Sequence, residues 1–326
     1  MKLSIAMATY NGAEYLKDQL STFVSQNRRP DEIIVCDDGS TDATLKILED
    51  FSENAPFDVF VFKNEKNLGF AKNFEKAISL CSGDIIFLSD QDDVWFPEKL
   101  EYVEMVFSAS PVMVVVNDAE LTDANLKPTG LTIAAQVRSA GLTTAHLPIG
   151  CCTAFRSELK QLVIPIPAAF RAHDIWITTL GDTLGTRSFL PRVLQYYRRH
   201  GKNTSGHFTA RLRPASPWLA LADQLRFLSI RRRPEEASAI RIFQIAVLRD
   251  RLVEHRSHLT MVFTNTKLDE VFRCIDLKYD NNKSRLALQQ TRFWSRIKLG
   301  LAFFLKGGYR SHQGARSFIR DIFGTF

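Results

Sequence analysis

The sequence predicts an α/β fold, with a parallel sheet in the first half of the chain and a mostly α-helical extension behind it. Three observations carry this. Over the first ninety residues, β-branched apolar runs alternate with segments that place apolar residues three and four apart, as βαβ units do. The first, second and fourth of those runs each end in a polar cluster. Beyond Pro217, Leu, Ile, Phe and Arg recur at helical spacing.

Taken in order, residues Leu3–Thr9, Glu32–Cys36, Asp58–Phe62 and Asp84–Leu88 read as strands. Between them Glu14–Ser25, Thr41–Phe51 and Phe70–Cys81 read as helices, the second capped by Ser40 or Thr41. A helix from Glu98 to about Ser108 follows Pro97 and leads to a strand, Val112–Val116; no regular pattern is read from there to Ala140. A Gly150–Phe155 segment, His173-Asp174-Ile175-Trp176, an apolar helix-like stretch and the polar run Tyr196–Asn203 complete the first part. Gly206, Pro214 and Pro217 then interrupt the pattern, which places a boundary near residues 205–215. The expected organisation is a domain over 1–208, with halves 1–95 and 96–208, and a basic helical region over 209–326.

Composition narrows the class. With 326 residues, 45% hydrophobic and 24% charged, the chain has the make-up of an ordinary globular protein, which excludes disordered and fibrous classes. The five cysteines show no CxxC or Cys/His spacing suited to zinc, and they fit a reducing cytoplasm. Asn11, Gly12 and Glu14 interrupt the N-terminal apolar run before it reaches the length of a signal peptide. The longest apolar run near the C-terminus, Leu299–Leu305, is too short to span a bilayer. Residues 1–208 carry a net charge of −6 and residues 209–326 a net of +12, so an acidic front half is followed by a basic tail.

The polar clusters point to chemistry. Thr9-Tyr10-Asn11-Gly12, Asp37-Asp38-Gly39-Ser40 and Asp90-Gln91-Asp92-Asp93 all sit at carboxyl ends of strands, where open parallel sheets bind ligands. Asp90 and Asp92 lie two apart and can face the same side, with Asp93 adding a third carboxylate. Oxygen ligands with vacant positions suit Mg²⁺ or Mn²⁺ completed by phosphate oxygens; the plainer reading is an acidic turn capping the helix after Pro97. Asp37 and Asp38 can accept hydrogen bonds from a base or ribose, or simply form an Asp-Gly turn. Asp174 is a candidate general base, His173 an alternative or a helix cap, and His200 a candidate metal ligand or phosphate donor.

The ordered set Ser4–Gly12, Pro30–Asp42, Asn67–Phe74, Gly83–Trp95, His173-Asp174 and Tyr197–His200 resembles the family 2 glycosyltransferases, and within them bacterial rhamnosyltransferase-like enzymes of cell-surface polysaccharide synthesis, O-antigen among them. The resemblance covers about residues 1–206. It implies a GT-A fold: a Rossmann-like nucleotide-binding sandwich continuous with an acceptor half. It further implies that Thr9, Tyr10, Asn11 and Asp38 hold the nucleoside of a nucleotide-sugar, Asp90 the ribose side, Asp92 of the DXD motif the Mn²⁺ or Mg²⁺ with His200 beside it, and that Asp174 is the base of a one-step inverting displacement. The acceptor would be a glycan or a lipid-linked glycan. Where the family pattern has a double tryptophan after His-Asp, this chain has Ile175-Trp176.

The basic tail, with Trp294, Phe303 and Phe304 near cations, reads either as a peripheral membrane contact on an anionic inner leaflet or as a solvated face packing on the core. No nucleic-acid-binding module accompanies the charge. Two rival functions stand beside glycosyl transfer. A Mg²⁺-dependent nucleotidyltransferase would want a glycine-rich phosphate loop, which Thr9–Gly12 is not. A non-catalytic glycan- or membrane-binding protein would have no need of Asp92 and Asp174.

Overall fold

The computed structural model describes residues 1–140, 143, 147–201, 203, 212, 234–309 and 314–323. The chain divides into two compact units, Met1–Pro217 and Trp218–Phe326. The stretch near 205–215, where the sequence suggests a boundary, lies largely outside the described residues, as does Arg231-Arg232-Arg233.

In the first unit, β1 (Leu3–Thr9), α1 (Leu16–Val24), β2 (Glu32–Asp37), α2 (Thr44–Asn54), β3 (Asp58–Lys63), α3 (Phe70–Leu80) and β4 (Ile85–Ser89) follow in the expected order. Next come β5 (Val94–Trp95), α4 (Lys99–Ala109), β6 (Val114–Thr122), β7 (Pro128–Thr132) and α5 (Ile133–Ser139). The unit closes with β8 (Thr153–Arg156), α6 (Lys160–Val163), α7 (His173–Leu184) and β9 (Arg187–Arg198). The sheet order is β3-β2-β1-β4-β8-β6-β9-β5, with β7 on β6. β1 to β4 are mutually parallel, and β8 runs antiparallel between β4 and β6. This is the α/β, GT-A arrangement.

Strands β1, β2 and β4 are apolar along nearly their whole length because helices cover both faces. Leu3, Ile5 and Met7, Ile33 and Val35, and Ile85 and Phe87 form one core with Leu16, Leu20 and Phe23 of α1, Leu48 of α2 and Leu100, Val103 and Phe107 of α4. α3 packs on β1 and β2 through Phe74, Ala77 and Ile78, outside that core. Parallel strands sandwiched in this way bring β1, β2 and β4 to a common carboxyl edge.

Two expectations fail locally. Neither Ser40 nor Thr41 caps α2, which starts at Thr44 after Ala43 with no side-chain cap. Ser40 is engaged elsewhere: its hydroxyl donates to Asp37 Oδ2 at 2.6 Å and accepts from the Asn11 amide at 2.8 Å. Nor is the stretch to Ala140 irregular, since β6 runs on to Thr122 and β7 and α5 follow. Polar Asn117, Asp118 and Glu120 interrupt the apolar signal inside β6. Asp118 is buried there because its Oδ1 accepts from the amides of Ala119 and Ala134, both at 2.9 Å.

The second unit is helical, with helices Pro234–Glu254, Arg256–Leu259, Asn265–Gln289, Phe293–Leu305 and Ala315–Phe323. The two long ones pack together, and Arg249 bridges them to Asp276 at 2.8 Å. Gly300 lets the last two approach, because a Cβ there would overlap Ile322. Arg285 forms a bidentate pair with Asp321 at 2.6 and 2.9 Å, joined by Gln289 at 2.7 Å, all three buried. Among the described residues no helix is long and apolar enough to cross a membrane.

Candidate active site

At the carboxyl end of β2, Asp37 and Asp38 are both buried and hydrogen-bonded. Asp37 Oδ2 accepts from Thr9 Oγ1 at 2.9 Å and Oδ1 from the Ser40 amide at 2.8 Å. Asp38 Oδ1 accepts from Asn64 Nδ2 at 2.8 Å and the Leu68 amide at 2.7 Å, and Oδ2 from the Gly69 amide at 2.9 Å. The Asn67–Phe74 motif is thus explained: Asn67, Leu68 and Gly69 all bind Asp38, and Asn73 reaches the Cys36 carbonyl at 2.7 Å. Of the roughly four acceptor positions on a carboxylate, Asp38 keeps one free for a ligand.

At the end of β1, Asn11 has φ 46°, a left-handed conformation that Asn tolerates better than most residues. Its side-chain oxygen accepts from the Thr41 amide at 2.8 Å, so β1 and β2 ends are tied reciprocally. Gln91 joins them from β4, accepting from the Tyr10 amide at 2.9 Å and donating to the Tyr10 carbonyl at 3.1 Å. Gly12 is needed for this, since a Cβ there would overlap the Gln91 carboxamide. Gln91 carries no chemistry of its own in the sequence; its place inside the acidic turn and the glycine opposite it are the signals that mark it. The Tyr10 ring is half exposed beside this junction.

The acidic turn does not cap α4, whose N-cap Glu98 lacks a side-chain cap bond. Its three carboxylates separate instead. Asp92 Oδ2 meets His200 Nε2 at 2.8 Å, with Asn203 Nδ2 at 3.2 Å, and the His200 ring lies 4.6 Å from Tyr15. Asp93 is buried, accepting from Gln195 Nε2 at 2.9 Å and the Arg198 amide at 3.3 Å, both on β9. Asp90 faces Cys151 and Asp93; the ligand atoms of these three lie within 4.8 Å of one another. Burial first, then the charges of Asp92, Asp93 and Asp174, push Asp90 well above the usual carboxylate range. Burial and Asp92 likewise raise Asp93 to about 7.

Lys99 is the counter-charge beneath the turn. It is buried over the Trp95 ring at 3.7 Å and donates to the Cys151 carbonyl at 2.9 Å and to Gln195 Oε1. Burial lowers its pKa to about 8. Lys99, Gln195 and Cys151 had no signal in the sequence, because their meeting depends on the pairing of β5 with β9.

Asp174 lies in the first turn of α7, close enough to Asp90 to raise its pKa. Gly150 lets the start of α7 pack closely, since a Cβ there would stand only 2.9 Å from His173 Nε2. His173 neither caps α7 nor faces the cleft as a base would. It is buried, stacked on Phe74 at 3.9 Å with neither ring nitrogen hydrogen-bonded, and burial lowers its pKa.

Two donor sets could serve a cation. The set of Asp90, Asp93 and Cys151 includes a thiol that burial holds protonated and a carboxylate already engaged with β9, a poor match to hard ions that favour open oxygen ligands. Asp92 and His200 offer one carboxylate and one imidazole, both partly accessible, with Asp90 nearby. That set fits Mn²⁺ or Mg²⁺ better, and the surplus negative charge of the turn favours any cation.

The family model for glycosyl transferase family 2 matches residues 4–161. An uncharacterized glycosyltransferase of Nostoc sp. is 31% identical over 215 residues, which are 62% of this chain and 66% of that protein. The dTDP-rhamnosyl transferase RfbG of Shigella flexneri is 37% identical over 99 residues, 29% of this chain and 34% of the relative. Both matches span less than two thirds of the relative's length. Among solved structures, S. aureus TarS 1-349 in complex with UDP-GlcNAc has a similar fold, with a TM-score of 0.53, 16% identity and coverage of 99% of this chain and 82% of that one. The match takes in β1 through β8, and hence the strand ends that carry the acidic turn: over residues 4–161 the chain is similar to glycosyl transferase family 2.

Proposed function

We propose that the chain transfers a sugar from a nucleoside-diphosphate sugar to a hydroxyl of a glycan or lipid-linked glycan, with inversion, in cell-surface polysaccharide synthesis at the inner face of the cytoplasmic membrane. The observation that carries this reading is the meeting of Asp92 with His200 at 2.8 Å beside Asp90 and Asp174, where three parallel strands end. In this reading Thr9 and Asn11 shape the nucleoside pocket through their bonds to Asp37, Ser40 and Thr41. Tyr10 offers its ring to the base, and Asp38 its one free acceptor position to a base N–H. Asp90 faces the ribose. Mn²⁺ or Mg²⁺ on Asp92 and His200 would offset the charge of the diphosphate leaving group. Asp174 takes the proton of the attacking hydroxyl. One displacement inverts the anomeric centre, and the half-buried Asp174 needs no second carboxylate as nucleophile. The name of the Shigella relative makes dTDP-rhamnose the first donor to try.

Titration calorimetry with a panel of nucleotide-sugars, with and without Mn²⁺, tests the proposal. We expect metal-dependent binding of one donor and its loss in Asp92→Ala. Equal binding by Asp92→Ala would remove the cation from that residue. Donor binding without transfer to any hydroxyl acceptor would favour a non-catalytic binding protein, and nucleotidyl transfer products would favour the other rival.

A further inference from the structure

We propose that the exposed face of the helix Phe293–Leu305 docks on the anionic surface of a lipid bilayer. On a helix, positions 294, 298, 301 and 305 fall in one stripe. Here they are Trp294, Lys298, Leu301 and Leu305, and all four are exposed, Trp294 and Leu305 by 77% and 76%. The opposite side of the same helix is held down, with Gly300 buried against Ile322 and Phe318. The apolar stripe is therefore the side turned outward. A groove lined by Ala287, Leu288, Leu299 and Phe303 runs beside it and offers apolar walls to an acyl chain.

Charge selects the partner. Residues 281–326 contain nine Lys or Arg and a single acidic residue, Asp321. Asp321 is fully buried and held by Arg285 and Gln289, so this part of the surface presents no carboxylate side chain. Exposed Arg292 and Lys306 flank the helix and Lys298 lies within its stripe, where a long side chain can reach headgroups while its stem stays apolar. A nucleic acid would answer the cations and leave a tryptophan and two leucines in water. A second copy of the chain would set like charges against each other. An anionic bilayer answers both, because Trp favours the headgroup region, Leu the acyl boundary and cations the lipid phosphates.

Co-sedimentation of the full chain with vesicles of phosphatidylcholine alone, and of phosphatidylcholine mixed with phosphatidylglycerol, tests the docking. Each cation at an anionic surface contributes about fivefold to partitioning. We therefore expect a preference of at least about tenfold for the anionic vesicles, reduced by salt. Lys298→Glu with Lys306→Glu should remove that preference. Trp294→Ser with Leu305→Ser should lower binding to anionic vesicles by roughly tenfold at unchanged thermal stability, since both side chains are exposed. Equal binding to neutral and anionic vesicles, or wild-type binding by the Trp294/Leu305 variant, would overturn the proposal. So would a concentration-dependent dimer that Leu305→Ser dissolves, which assigns the face to a second copy. Sedimentation needs no nucleotide-sugar, so its failure is distinct from failure of the transfer reading.

Discussion

The turns Asp37–Ser40 and Asp90–Asp93 end the two strands that flank β1, and they use their carboxylates in opposite ways. Every oxygen of Asp37 and Asp38 accepts at least one hydrogen bond from within the fold. Their charge is answered where it stands, and the result is a rigid floor. At the second turn, Asp90, Asp92 and Asp93 crowd one another, and burial with mutual repulsion drives Asp90 and Asp93 upward. Among the described residues Lys99 offsets them from below. Carboxylates supplied with internal donors build a loop; those that face each other keep a surplus of negative charge for a cation to answer.

The sharpest test of that contrast lies where the surplus meets the reaction. Asp174→Asn keeps the size of the side chain and removes the base. Turnover is expected to fall by about 10³, within the range of general-base catalysis, with donor affinity retained. Steady-state kinetics alongside calorimetry checks this, and unchanged transfer kinetics would exclude Asp174 as the base.

Lys99→Met probes the counter-charge. Removing the buried ammonium leaves Gln195 Oε1 and the Cys151 carbonyl without this donor and the acids without the buried cation beneath them. A loss of about 3 kcal/mol in stability is expected by chemical denaturation, as when one partner of a buried charged set is deleted. Added Mn²⁺ should recover more stability in this variant than in the wild type, because the repulsion it relieves is larger. Asp38→Asn probes the other turn and should cost about 2 kcal/mol, since an amide N–H₂ would face the Gly69 N–H. Its stability should respond to Mn²⁺ no more than the wild type's does, and a larger metal response there would erase the contrast between the turns.

The sheet was legible because β1, β2 and β4 are buried on both faces and therefore apolar along nearly their whole length, a signal that needs no knowledge of partners. The same locality explains what was not legible. Ser40 has good cap chemistry for α2, yet Asp37 and Asn11 capture it, and tertiary bonds outweigh a local preference. Asp118 lies beyond the Val112–Val116 run that reads as a strand, yet it is buried inside β6, satisfied by an amide sixteen residues away. Within Asp90–Asp93, the assignment of Asp93 to β9 rather than to a ligand depends on Gln195 and Arg198, which one turn of sequence does not contain. Cys151 and Lys99 reach the site for the same long-range reason.

The smallest effect tests internal satisfaction at the opposite end of the sheet. Glu32 opens β2, where its Oε1 accepts from Ser4 Oγ and the Ser82 amide, both at 2.6 Å, and its Oε2 from Ser82 Oγ at 2.7 Å with Lys2 Nζ at 3.0 Å. Burial alone would raise its pKa, but these donors outweigh burial and hold it at about 2, below the ordinary 4.5. A carboxylate depressed in the folded state stabilises the fold above its unfolded pKa and loses that contribution as pH falls toward the folded value. Glu32→Gln should therefore cost about 1–2 kcal/mol at neutral pH, given the partial solvent access of Lys2. The difference from wild type should shrink between pH 4.5 and about pH 2. Denaturation curves across that window decide the matter: a gap that stays constant to pH 2 would mean that shape rather than charge holds Glu32 in place, and that buried carboxylates here are not satisfied by their donors in the way Asp37 and Asp38 suggest.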